Sequence, residues 1–150
     1  MKIKIHLVAA VVATLCISTF FTATILVELF GSKESIATVK NLIVTPGLFF
    51  LIPALAITGI SGFNSAKNRQ GRLISNKQKR MPFIAANGLL ILLPCAIFLN
   101  QWAATGTFNP QFYIVQAFEL LAGAINLSLM GLNIRDGLRM TGKLRPSKAQ

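Results

Sequence analysis

The sequence predicts an all-α integral membrane protein: four transmembrane helices in an antiparallel bundle, with both termini cytoplasmic. Three observations carry that expectation. Only 13% of the 150 residues are charged and 53% are hydrophobic, against roughly 25% charged in a soluble domain. Four apolar runs reach the length of about 20 helical residues that crosses a hydrocarbon core about 30 Å thick. The basic residues, finally, gather on one side of those runs. Barrel strands would be about 10 residues long and would alternate apolar with polar; these runs are longer and nearly unbroken.

Helix 1 is expected over 6–30, "HLVAAVVATLCISTFFTATILVELF". The "MKIK" start also suits a signal peptide, but a signal core spans about 7–15 residues and ends at a small-residue cleavage site. This run continues into "VELFGSK" and reads as a retained helix. An outer loop, "GSKESIATVKN", leads to helix 2 over 42–63, and a basic cytoplasmic loop over 64–81 leads to helix 3 over 82–104. Helix 4 is expected over 110–134, because Asn109 is a good N-cap and Pro110 suits the first helical position. A polar tail, 135–150, follows, with Gly142 and Pro146 ending any helical continuation. The whole chain is one four-helix transmembrane domain. Pro53 and Pro94 fall near the middle of helices 2 and 3, where each removes a hydrogen bond and kinks its helix.

Charge sets the threading. Of fifteen basic residues, Lys2, Lys4, Lys67, Arg69, Arg72, Lys77, Lys79, Arg80, Arg135, Arg139, Lys143, Arg145 and Lys148 share one side. Only Lys33 and Lys40 fall on the other. The positive-inside rule puts the larger set in the cytoplasm, where anionic lipid is the expected partner. Nucleic acid is not: the loop "NSAKNRQGRLISNKQKR" has no aromatic residue on which a base would stack. The short loops and the "MKIK" start fit a bacterial cytoplasmic (inner) membrane.

The most informative stretch is "ELLAGAINLSLMGLN", which spaces Glu119, Asn126 and Asn133 seven residues apart. At about 100° per residue, seven steps return nearly to the same face. Gln116, Gly123 and Met130 fall on that side, and Leu121, Ile125 and Leu132 on the other. A polar-plus-glycine stripe is how a membrane helix meets its neighbours, so this face is expected to look into the bundle, with Asn126 as interhelical glue. Ala124 and Ser128 offer a second close-packing face. Glu119 and Glu28 share the outer half of the membrane. A carboxyl there is protonated, paired or facing water. Two roles stand open: a shared proton or cation site, or hydrogen bonding to a neighbouring helix, with Glu28 reaching towards Lys33 or Lys40.

Other candidates are weaker. His6 is the single histidine, which removes two-histidine haem ligation and multi-histidine copper or zinc sites; His6 with Met130 is the one formal haem pair. Cys16 and Cys95 match no CxxC spacing and read as buried small hydrophobes. No cofactor or metal is expected. No G-x-S-x-G, P-loop, H-E-x-x-H or GxGxxG occurs, and the expectation is that the chain is not an enzyme. The leading reading is a structural or accessory component of a membrane assembly, as a homo-oligomer or within a larger complex. The alternative is a small proton- or cation-coupled transporter using Glu119, with or without Glu28. A haem- or quinone-binding redox subunit stands third.

Overall fold

The computed structural model of the chain describes residues 2–66 and 71–140. Lys67, Arg69, Gly142, Lys143, Arg145, Pro146 and Lys148 lie outside them. The described residues are helical and contain no strand. Six helices occur: α1 (Lys2–Phe30), α2 (Lys33–Leu42), α3 (Leu48–Ala66), α4 (Arg72–Asn87), α5 (Leu93–Ala104) and α6 (Pro110–Met140). Two wide, π-type turns, Ile43–Gly47 and Gly88–Leu92, join α2 to α3 and α4 to α5. Four stretches are therefore long and apolar enough to cross a membrane: Ile5–Phe30, Lys33–Gly62, Arg72–Ala104 and Pro110–Met140.

Several boundaries differ from the sequence reading, and one difference reshapes the site. The expected outer loop "GSKESIATVKN" folds as α2, capped by Ser32, whose hydroxyl accepts from the Ser35 N–H at 3.3 Å. Glu34 near its start and Lys40 near its end both complement the helix dipole. Ile36 and Lys40, four residues apart and so on one face, are both buried. Much of the expected cytoplasmic loop is likewise helical, since α3 ends at Ala66 and α4 begins at Arg72. Gly71 enters α4 with φ of 146°, in the region that favours glycine. α6 begins at Pro110, with the Asn109 side chain accepting the Phe112 N–H at 2.9 Å. It runs on to Met140, past the expected end at 134.

The helix interruptions also moved. α3 runs through Pro53 unbroken. The break in that span falls instead at Pro46: Thr45 is extended (φ −135°, ψ 110°), as residues before proline prefer. The Leu48 N–H then reaches back five residues to the Ile43 carbonyl. In the third span the wide turn precedes Pro94, with the Leu93 N–H donating to the Gly88 carbonyl. A proline ring collides with the carbonyl four residues before it, and a π-turn gives that carbonyl room.

Packing divides into two apolar clusters. Ile36, Leu99, Ala103 and Phe112 form one, around α2, α5 and the start of α6. Ala13, Ile17, Ala54, Ile84 and Met130 form the other, joining α1, α3, α4 and the second half of α6. Small residues set the close approaches. A Cβ on Gly123 would stand 3.2 Å from Phe21 Cδ2 of α1. Large apolar side chains point outward all round, Leu90 and Phe49 being 75% and 73% exposed. Such a surface belongs in lipid or against other apolar helices.

Candidate functional site: a polar layer between two apolar clusters

Read along α6, the buried face is Phe112, Gln116, Gly123, Asn126, Met130 and Asp136, with Glu119 half-buried among them. Leu121 and Ile125 are 61% and 40% exposed on the far side. The polar positions lie between the two apolar clusters. Glu119 and Asn126 are about 10 Å apart along the axis, at 1.5 Å per residue.

The upper part of the layer is an ion pair. Lys40 Nζ of α2 donates to Glu119 Oε2 at 2.5 Å. The lysine side chain is fully buried and that of Glu119 is 12% exposed. Gln116, one helical turn away, donates from Nε2 to the same carboxylate oxygen at 2.9 Å. Cys95 of α5 packs against the first apolar cluster. Two acceptors at this level are buried without a hydrogen-bond partner among the described residues: Glu28 Oε1 and Gln116 Oε1.

The lower part is neutral. Asn87 of α4 donates through Nδ2 to Asn126 Oδ1 and to the Ala122 carbonyl, each at 2.9 Å. Asn126, fully buried, donates back to the Ile84 carbonyl at 3.4 Å. These bonds tie α4 to α6. Further along, Asp136 is buried and accepts from Arg80 at 2.7 Å and from Arg135 at 3.3 Å.

Beside this layer lies a cavity of about 80 Å³. Its walls are mostly apolar, with Phe20, Leu51 and Leu92 among them, and Thr24, Glu119 and Asn126 supply the polar surface. Both wide turns contribute, through Ile43 and through Gly88 and Leu89. The volume admits a few waters at roughly 10–15 Å³ each.

The structure thus brings Lys40 and Gln116 onto Glu119, and Asn126 onto Asn87. Lys40 bonds Glu119 directly rather than Glu28. Asn133 is half-buried, with Oδ1 lacking a partner among the described residues. Ala124 and Ser128, expected as a second close-packing face, lie away from the buried side of α6, half-buried and exposed. Ser128 is exposed, and its hydroxyl is consumed by the Ala124 carbonyl of its own helix at 2.8 Å, a usual outlet for serine in a helix. Cys16 and Cys95 are both free. His6 meets Ser61 of α3 at 3.0 Å, and Met130 packs in the second apolar cluster.

From sequence, Lys40 stands only as an outer-loop charge towards which Glu28 reaches and Arg80 only among the cytoplasmic basic residues, while Asn87 and Asp136 are not singled out. Lys40 sat in a presumed loop; the Ser32 cap and the Ile36/Lys40 spacing were the signals of a helix with one buried face. Asp136 was the lone acid in a basic stretch, "RDGLR". Four candidate spans enclosing a layer of paired polar groups define a multi-pass helical membrane protein. Comparison with protein families, curated proteins and solved structures returns no match.

Proposed function

We propose that the chain is a non-enzymatic component of a membrane assembly in a bacterial cytoplasmic membrane. The four spans are threaded antiparallel, with both termini and the basic stretch 64–81 in the cytoplasm. The sidedness of the basic residues supports that threading, and anionic lipid is the matching surface. The observation that carries the assembly reading is the outer face of α6. Ala117, Ser128 and Gly131 are exposed there and Ala124 is half-buried, and no atom lies within 4 Å of where a Gly131 Cβ would stand. The chain's own bundle uses the opposite face of α6, so a small-residue surface is left for a further helix.

Site-directed crosslinking tests this. In native membranes, with Cys16 and Cys95 replaced by serine, Ser128→Cys is expected to give a discrete crosslinked species with a thiol-reactive bifunctional reagent. Phe98→Cys, exposed on α5, serves as the comparison. A monomer band alone, or equal crosslinking at both positions, counts against an interface on α6.

A second reading, a small proton- or cation-coupled carrier, is favoured by the cavity with Glu119 in its wall. In proteoliposomes, Glu119→Gln is expected to reduce proton-coupled flux at least tenfold, the scale on which about 1.4 kcal/mol acts. Unchanged flux would leave the carboxyl a structural role only.

A further inference from the structure

The far end of the polar layer carries more cation than anion. Arg80 of α4 and Arg135 of α6 share one carboxylate, that of Asp136. Arg80 Nη1 donates to Asp136 Oδ2 at 2.7 Å. Arg135 donates from Nε and Nη2 to Oδ1, at 3.4 and 3.3 Å. Both carboxylate oxygens are thus engaged, and the Asp136 side chain is 1% exposed. The guanidiniums are not enclosed with it: the Arg80 and Arg135 side chains are 22% and 45% exposed. One positive charge of the three groups is left over. Arg139, one turn beyond Arg135 on the same face, is exposed and adds to it.

Depth says what such a cluster meets. Measured from the opposite ends of their spans, Pro110 and Ala104, Asp136 and Arg80 lie about 39 Å and about 36 Å along the helices at 1.5 Å per residue. A hydrocarbon core is about 30 Å thick and about 40–45 Å with its head-group regions, so both guanidiniums fall at head-group level. Phe83, one turn from Arg80 towards the bilayer centre, and Ile134, beside Arg135, are exposed apolar side chains at the adjoining depth.

Each guanidinium has five N–H donors in a planar fork. The Asp136 contacts use one of Arg80's and two of Arg135's, so both keep donors for a second acceptor. Phosphate oxygens match that fork, and an ammonium does not reproduce it. A soluble phosphate would leave Phe83 and Ile134 uncovered, whereas a lipid brings acyl chains to them.

We propose that Arg80 and Arg135, positioned by Asp136, bind the phosphate of one anionic phospholipid whose acyl chains lie along Phe83 and Ile134. The site narrows the anionic-lipid reading from a charged surface to a defined place, and it rests on that reading.

Native mass spectrometry of the purified chain in a neutral detergent tests it, with equal amounts of phosphatidylglycerol and phosphatidylcholine of the same acyl chains. Phosphatidylglycerol is expected to be retained in preference. Arg135→Gln should reduce the preference about tenfold, the scale of one lost charge-assisted hydrogen bond. Arg80→Lys, which keeps the charge but not the fork, should reduce it as well. Lys79→Gln removes the same charge as Arg135→Gln from an exposed neighbour of Arg80 and should leave the preference in place. Circular dichroism confirms that each variant folds; Arg135 is exposed, so its variant stands even if Arg80→Lys does not fold. Equal retention of the two lipids overturns the proposal, as does survival of the preference in either arginine variant. An equal loss in Lys79→Gln also overturns it, leaving only a diffuse attraction of anionic lipid, so failure of the site and failure of the broader reading are told apart. Displacement of the lipid by inorganic phosphate at equal concentration would assign the site to a soluble anion and would overturn it too.

Discussion

Replacing Lys40 with methionine is expected to destabilise the folded chain by about 3–5 kcal/mol, the usual cost of breaking a buried ion pair from one side. Lys40 is fully buried and bonds Glu119 at 2.5 Å. Methionine keeps most of the side chain's volume but removes the ammonium that pairs with Glu119. The loss therefore comes mainly from the Glu119 carboxylate left without its ammonium. The double variant Lys40→Met/Glu119→Met tests that cause. Replacing both members of a buried pair with apolar residues is often neutral or stabilising, so the double variant should recover most of the loss. Equilibrium unfolding in detergent micelles, followed by circular dichroism, measures both effects. A Lys40→Met chain within about 1 kcal/mol of the unmodified one, the range typical of exposed pairs, would show that α2 is not held in the bundle by this contact.

Gly47→Ala is the second large effect. Gly47 closes the wide turn between α2 and α3 and is buried. A Cβ there would stand 2.6 Å from Phe20 Cζ and 2.9 Å from the Leu42 carbonyl oxygen. The aromatic ring has some freedom to rotate away, but the backbone oxygen belongs to α2 and moves only with it. The expected loss is about 1–3 kcal/mol, the range for overpacking, and it should spread to the cavity, since Phe20, Ile43 and Leu48 all line it. Gly59→Ala is the matched control. No atom lies within 4 Å of where its Cβ would stand, so the change is expected to be neutral or slightly stabilising, helix propensity favouring alanine by about 1 kcal/mol. The same unfolding measurement compares them; equal behaviour of the two variants would show that the turn yields to the added methyl.

How far the site was legible in the sequence follows from the range of the interactions. The seven-residue spacing of Glu119 and Asn126 was enough to place them on one helix face, because helical period is local. The cap at Asn109 and the start at Pro110 were legible for the same reason, each resting on neighbours within three residues. Lys40 was not legible. Its partner lies 79 residues away, and a lysine next to an apolar run looks like an interfacial charge until a helix carries it inward. Asn87 was hidden in the same way, its role depending on Asn126, 39 residues on. Pro53 lies inside α3, which continues through it, since proline disfavours a helix interior only on average. α3 tolerates it, and the break fell at Pro46, where the chain must pass Phe20.

The order of apolar runs and caps in the chain is sufficient for the helical class, the four candidate spans and the inward face of α6, since each depends on hydrophobicity and period over one helix. Which polar groups meet depends on how the helices pack. Lys40 became the partner of Glu119 only when α2 folded against α5 and α1, and α6 presented Glu119 to it. Burial of an ammonium against a carboxylate is a property of several helices together, and local sequence carries no record of which charges will share a low-dielectric space.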